Sequence, residues 1–320
     1  MKTTDTTEAV PPSRGKRRIG DVIFAEVARG SGILILVILA GVAAFLILQA
    51  WPSLSANTVN FLTTQEWDAN VRENPTFGVA ALAFGTVLAA AIALLLATPV
   101  AIGISLFIVY YAPRQLAAFL GYLVDLLAAI PSVVYGLWGI GFLAPQLVPV
   151  YEGISRYLGW IPLFSGPPST SGRTILTAGI VLAVMILPII TSISRDVFHQ
   201  VPQGHQEAAL AMGATRWEMI RLAVLPFGKS GVVGGAMLGM GRALGETMAV
   251  AMILSPSLKI SWDLLQSGNQ TIAGHIALQY PEATGYGVSA LIAAGLILFA
   301  ITLIVNMAAR YVVSRGTKEA

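Results

Sequence analysis

In a chain of 320 residues, 56% hydrophobic and 11% charged, charge falls well below the roughly 25% of an ordinary soluble domain. That is too little to cover a water-exposed surface of this size, so a soluble globular fold is excluded and a membrane protein is implied. The net charge of +3 does not argue for nucleic acid, because the basic residues sit beside apolar runs rather than forming a stripe. The absence of cysteine removes disulfides, thiolate metal sites and a Cys nucleophile.

A helix needs roughly 20 mostly apolar residues to cross the hydrocarbon, and the chain offers six such runs: an all-α, polytopic fold. Residues 1–30, rich in Thr, Pro, Ser and basic side chains, read as a flexible cytoplasmic tail whose basic cluster can lie against anionic lipid. The first span, 31–51, has an apolar core longer than the roughly 7 to 15 residues of a secretory signal, and with the external segment it fills 31–70. The second, 77–111, contains Pro99 at a predicted kink. The third, 116–147, is interrupted by Asp125 and Pro131. The fourth, 174–194, is bracketed by Arg173 and Arg195, the fifth runs over 230–254, and the sixth over 283–309, within a transmembrane domain assigned to 71–310 and followed by a tail at 311–320.

Lysine and arginine set the orientation, since they are retained on the cytoplasmic side. Lys2, Arg14, Lys16, Arg17, Arg18, Arg29, Arg114, Arg195, Arg216, Arg221, Lys229, Arg310, Arg315 and Lys318 fall on one side, and only Arg72, Arg156, Arg173 and Lys259 on the other. Both termini are therefore expected in the cytoplasm of a multi-pass protein of the cell (inner or plasma) membrane.

The segment 197–229, between the fourth and fifth spans, is too polar to cross but reads as two short helices, the first stopped by Gly213 and the second ended by Pro226. A helix pair lying on lipid fits this pattern equally well. The run Glu207-Ala208-Ala209, then Gly213, then Leu225-Pro226 resembles the EAA loop of binding-protein-dependent ABC importer permeases. The stretches 129–138 (AIPSVVYGLW) and 241–250 (GRALGETMAV) are similar to signatures of the phosphate-specific permeases, and to the PstC type more than to its PstA partner. The resemblance covers roughly 60–310 and implies the type I ABC importer permease fold. It implies import of inorganic phosphate received from an external phosphate-binding protein (PstS-like), alongside a second permease subunit (PstA-like) and two copies of an ATPase subunit (PstB-like). ATP and Mg would then reside on that ATPase; this chain would bind no cofactor or metal, touch lipid but no nucleic acid, and be no enzyme itself. Glu207, Ala208, Ala209, Gly213, Leu225 and Pro226 would dock into the ATPase.

In the fifth span, Gly231, Gly235, Gly239, Arg242 and Glu246 fall within one arc at 100° per residue. The glycines permit close helix approach, as small residues do in lipid. Arg242 lies about 20 Å beyond Lys229 at the helical rise, a depth at which a charge must face protein or a water-filled path. It can offer its donor fork to phosphate oxygens, with Glu246 one turn on holding the empty guanidinium; an Arg/Glu pair that only locks packing is the bland alternative. Asp125 reads as structural, either pairing with an arginine across the helix interface or serving only as a capped polar residue near the cytoplasmic third of its span.

Two decoys fail on spacing. Phe227-Gly228-Lys229-Ser230 ends like a phosphate-binding loop but has Ala223 where its first glycine should be and Pro226 inside, and Gly239-Met240-Gly241 lacks the third glycine, replaced by Leu244. His199, His205 and His275 lack metal spacing. An ion-coupled transporter using Arg242, Glu246 and Asp125 as a relay is the competing class, although such proteins usually show inverted repeats and more spans.

Overall fold

The structure, a computed structural model, describes residues 19–71 and 73–316, with side chains through Tyr311. Residues 1–18, Arg72 and 317–320 lie outside the described residues, and with them most of the N-terminal tail and several of the lysines and arginines used for orientation. Six helices are long and apolar enough to cross a membrane.

Helix α1, Ile19–Ala56, is 38 residues long, about 57 Å at the helical rise against a hydrocarbon core of about 30 Å. The tail expected to extend to residue 30 is therefore helical from Ile19. Asp21 in the first turn complements the helix dipole, and Glu26 pairs with Arg29 at 2.9 Å. The described residues fall into two separate compact units, 19–45 and 46–316, divided within α1. In the first unit the described side chains are almost all exposed.

In the second unit, the end of α1 meets residue 289, where the Ser53 N–H donates to Ser289 Oγ and Ser289 Oγ donates to the Gln49 carbonyl. A two-residue hairpin, β1 Trp67–Asp68 against β2 Thr76–Phe77, leads into α2, Ala80–Leu106, which runs uninterrupted through Pro99 and ends in a π turn over Phe107–Tyr111. The third span differs from expectation. Residues 116–147 are not one helix: α3, Arg114–Ala128, stops before Pro131, and the crossing segment is Ser132–Leu158. It is built from α4 (Ser132–Trp138), a π turn and α5 (Ala144–Leu158). Proline removes an N–H and disfavours helical geometry at the residue before it, so the chain restarts as a new helix with Pro131 at its N-cap.

Helix α6, Ile175–His199, starts at Thr174, whose side chain accepts from the Thr177 N–H. It is the most buried span and packs against α2, where Ala89, Ala93, Ala97 and Ala101 face Ala178, Leu182, Met185 and Ile186 in one core. Such an alanine-lined seam suits helices in lipid, where association depends on close van der Waals contact. Then follow α7 (Gln203–Ala211), α8 (Arg216–Met219), α9 (Leu225–Leu244), α10 (Met248–Ile253), α11 (Ile272–Gln279) and α12 (Gly287–Gly316). The last is helical beyond residue 310, where a tail was expected.

Candidate functional site: a surface knob and a broken span

The knob forms where α7 meets α8. Gly213 has φ of +86°, its N–H donates to the Leu210 carbonyl at 3.0 Å, and the next N–H, of Ala214, reaches back to Ala209 at 3.2 Å. This pair of bonds is the Schellman closure of a helix, which places a left-handed residue at this position. A Cβ built on Gly213 would meet nothing within 4 Å, so the demand for glycine comes from the backbone alone. Thr215 then caps α8 in a complete capping box with Glu218. Ala209, Met219, Ile220 and Val224 turn inward against Phe198 and Val201. Outward stand Glu207, Ala208, Leu210, Met212 (82% exposed), Trp217 and Leu222. An exposed apolar group of this kind marks a protein or membrane contact surface.

Pro226 does not end a helix, contrary to expectation. Leu225 is half-buried and Pro226 exposed, both at the start of α9, and a π turn over Ile220–Val224 joins α8 and α9 into one span from Arg216 to Leu244. The wider turn carries the Leu225 N–H to the Ile220 carbonyl and accommodates the donor missing at the proline. Both decoy motifs lie inside this helix rather than on loops.

Gly231, Gly235 and Gly239 lie along α6. A Cβ on Gly231 would fall 2.3 Å from Val197 Cγ2, one on Gly235 3.2 Å from Ile193 Cβ, and one on Gly239 3.0 Å from Ile190 Cγ1. The ascending order on α9 runs against the descending order on α6, so the two helices are antiparallel.

The stripe does not continue to Glu246. Helix α9 ends at Leu244 with Gly245 at its C-cap, so Arg242 and Glu246 do not share a helical face and no ion pair joins them among the described residues. Glu246 is buried, 8% exposed, and its Oε1 accepts the Ala249 N–H at 3.1 Å, satisfying one of the open donors at the start of α10. Arg242 is half-buried and makes no hydrogen bond or ion pair among the described residues, whereas Tyr135 of α4 is buried. Tyr135 itself donates to the Leu127 carbonyl at 2.9 Å.

Asp125 sits apart from this break. It accepts from Ser192 Oγ at 3.2 Å and lies 3.5 Å from Arg195 Nη2, so α3 and α6 are tied near the knob end of α6. The Asp125 side chain is 53% exposed, a setting in which an ion pair contributes little. It forms no relay with Arg242 and Glu246.

One arginine that sequence reasoning read only as a span boundary reaches the far end of α10. Arg173, just ahead of α6, donates from Nε to the Ile253 carbonyl at 3.2 Å, and from Nη2 to Leu254 at 2.8 Å and Met252 at 3.4 Å. On this same side, opposite the knob, a cavity of about 870 Å³ opens between the β1–β2 hairpin and residues 256–259, lined in part by Glu66, Asp68, Lys259, Gln270 and His275. His275 stacks edge-on to Trp67 and bonds Gln270 through Nδ1; burial lowers its pKa to about 4.

Six helices long and apolar enough to cross a membrane, with a capped knob between the fourth and fifth, define a multi-pass membrane protein. The chain belongs to the family described as binding-protein-dependent transport system inner membrane component, whose model matches residues 100–318. The phosphate transport system permease protein PstC 2 of Mycobacterium tuberculosis is 49% identical over 300 residues, covering 92% of this chain and 91% of the relative. The phosphate transport system permease protein PstC of Mesorhizobium japonicum is 41% identical over 324 residues, covering 96% of each. A chain of the inward-facing MetNI methionine ABC transporter matches with a TM-score of 0.53 at 19% identity, covering 72% of this chain and 94% of that one. One of a bacterial alginate ABC transporter in complex with its pentasaccharide-bound periplasmic protein gives 0.54 at 18%, covering 74% and 79%. These likenesses place the fold with the type I ABC importer permeases.

Proposed function

We infer that this chain is the permease subunit through which an ATP-driven importer passes inorganic phosphate across the cell membrane. The observation that carries the reading is Arg242, a half-buried arginine about 20 Å beyond Lys229 at the helical rise with no protein acceptor among the described residues. Holding such a charge at this depth is costly unless it meets water or an anion, and its planar fork matches a phosphoryl oxyanion. The two phosphate permeases quoted above align over most of the chain and supply the choice of phosphate among tetrahedral oxyanions. Glu246, fixed at the start of α10, places a negative charge beside the route, where it opposes resting occupancy by the anion.

The knob from Glu207 to Pro226 is the coupling surface. Its exposed apolar side chains suit a cleft in a separate ATPase subunit, which would hold ATP and Mg and carry out hydrolysis, so that this chain acts as a conduit. A second permease subunit, two ATPase copies and an external phosphate-binding protein complete the assembly, with the knob and both termini in the cytoplasm and the 870 Å³ cavity facing the binding protein. The test is phosphate uptake by the reconstituted complex with and without ATP, with sulfate as competitor. Uptake that needs ATP and resists sulfate is expected; uptake driven by an ion gradient without ATP would establish the secondary-transporter reading instead.

A further inference from the structure

Helix α10 is six residues long, too short to hold itself together, because nucleation costs more than so few hydrogen bonds return. Its position is therefore imposed from outside. At one end Glu246 accepts the Ala249 N–H. At the other, Arg173 from a distant part of the chain gathers the carbonyls of Met252, Ile253 and Leu254, matching a permanent positive charge to the negative end of the helix. Along its side α10 lies directly on α4, where a Cβ on Gly136 would come 2.9 Å from Ala249 Cα.

Arg173 is itself firmly held. The loop that carries it is stitched to the segment following α10: Leu264 N–H donates to Leu163 O at 2.9 Å, Ser169 N–H to Leu265 O at 2.8 Å, Ser169 Oγ meets Ser267 Oγ at 2.6 Å, and Thr174 bridges Ser267. The guanidinium thus links a tied outer cap to the far end of the helix whose first turn Glu246 caps.

We propose that Arg173 is a positioning residue for anion passage: by clipping the C-terminal end of α10 it holds Glu246 and the break at 245–247 in the arrangement that keeps the route shut at rest. The inference rests on the transport reading above. Loss of the clip frees α10 to shift and lets Glu246 leave its place at the start of α10, so the route leaks without hydrolysis.

The test uses the complete transporter in vesicles preloaded with phosphate, without ATP or binding protein, comparing wild type, Arg173→Gln, Arg173→Lys and Gly136→Ala. Arg173→Gln should still assemble, with a lowered unfolding temperature because three carbonyls lose their donor, and release phosphate several-fold faster than wild type. Arg173→Lys, which keeps the charge but not the fork, should be intermediate, and Gly136→Ala, which presses on α10 from α4, should leak like the glutamine variant. Wild-type efflux rates in both Arg173→Gln and Gly136→Ala, or failure of both Arg173 variants to assemble, would overturn the proposal. ATP-dependent uptake by wild type is measured on the same vesicles; its absence would overturn the transport reading separately, and the inference with it.

Discussion

At the scale of single residues, Arg242 and Glu246 separate two ideas that a helical wheel merges. On a continuous helix they would pair, and neutralising both would restore what either change removes, because no unpaired charge would remain. With Glu246 instead capping α10, the double variant Arg242→Gln/Glu246→Gln should stay as inactive as Arg242→Gln in phosphate uptake while the complex still assembles. Glu246→Gln keeps an acceptor for the Ala249 N–H, whereas Glu246→Ala removes it and should cost about 1 kcal/mol of stability as well; thermal unfolding of the two variants checks this. His275 makes a separate prediction. Its pKa, lowered to about 4 by burial, lies below the roughly 6.5 of an unfolded histidine. Between those values the unfolded chain binds the extra proton, so stability is full above about pH 6.5 and declines as pH falls toward 4, by at most about 3 kcal/mol. His275→Gln should flatten the unfolding temperature of the complex between about pH 7 and about pH 4.5 relative to wild type.

At the scale of elements, the knob depends on one backbone conformation. Gly213→Val puts a β-branched residue at φ of +86°, which costs about 1 to 3 kcal/mol, with no steric clash to confuse the result. The variant should insert normally but lose ATPase copurification and uptake; normal copurification would remove the mechanical role of the loop. The glycine stripe of α9 makes the complementary case, since there the surroundings are crowded and the backbone is ordinary helix. Gly231→Val forces a side chain into Val197, and overpacking of this kind costs about 1 to 3 kcal/mol. The unfolding temperature should fall with the knob still able to recruit the ATPase.

At the scale of the whole molecule, both termini are expected on the cytoplasmic side, because lysine and arginine concentrate in the segments flanking the spans there. A C-terminal tag should be unreactive in intact cells and become accessible after permeabilisation; labelling from outside would reverse the orientation. The same orientation puts the stitched loops that carry Arg173 on the side from which substrate arrives, and the knob on the side where ATP is available.

The sequence by itself determined the membrane class, six crossings and the glycine turn at Gly213, because each rests on local chemistry: the length of an apolar run, or a residue type at one backbone position. It also marked the small-residue stripe of α9, a pattern visible at helical spacing. Tertiary structure decided where helices stop and restart. A glycine such as Gly245 inside an apolar run is tolerated in many helices, and only the Ala249 N–H waiting for Glu246 and the three carbonyls gathered by Arg173 make the break stable. Likewise Pro226 signals an ending in sequence, yet a π turn carries the helix past it. Arg173 stands far in sequence from the carbonyls it caps, and no periodicity records a hydrogen bond between such distant parts of a chain. In lipid every backbone polar group needs a partner, and the identity of that partner is settled only when the helices are packed.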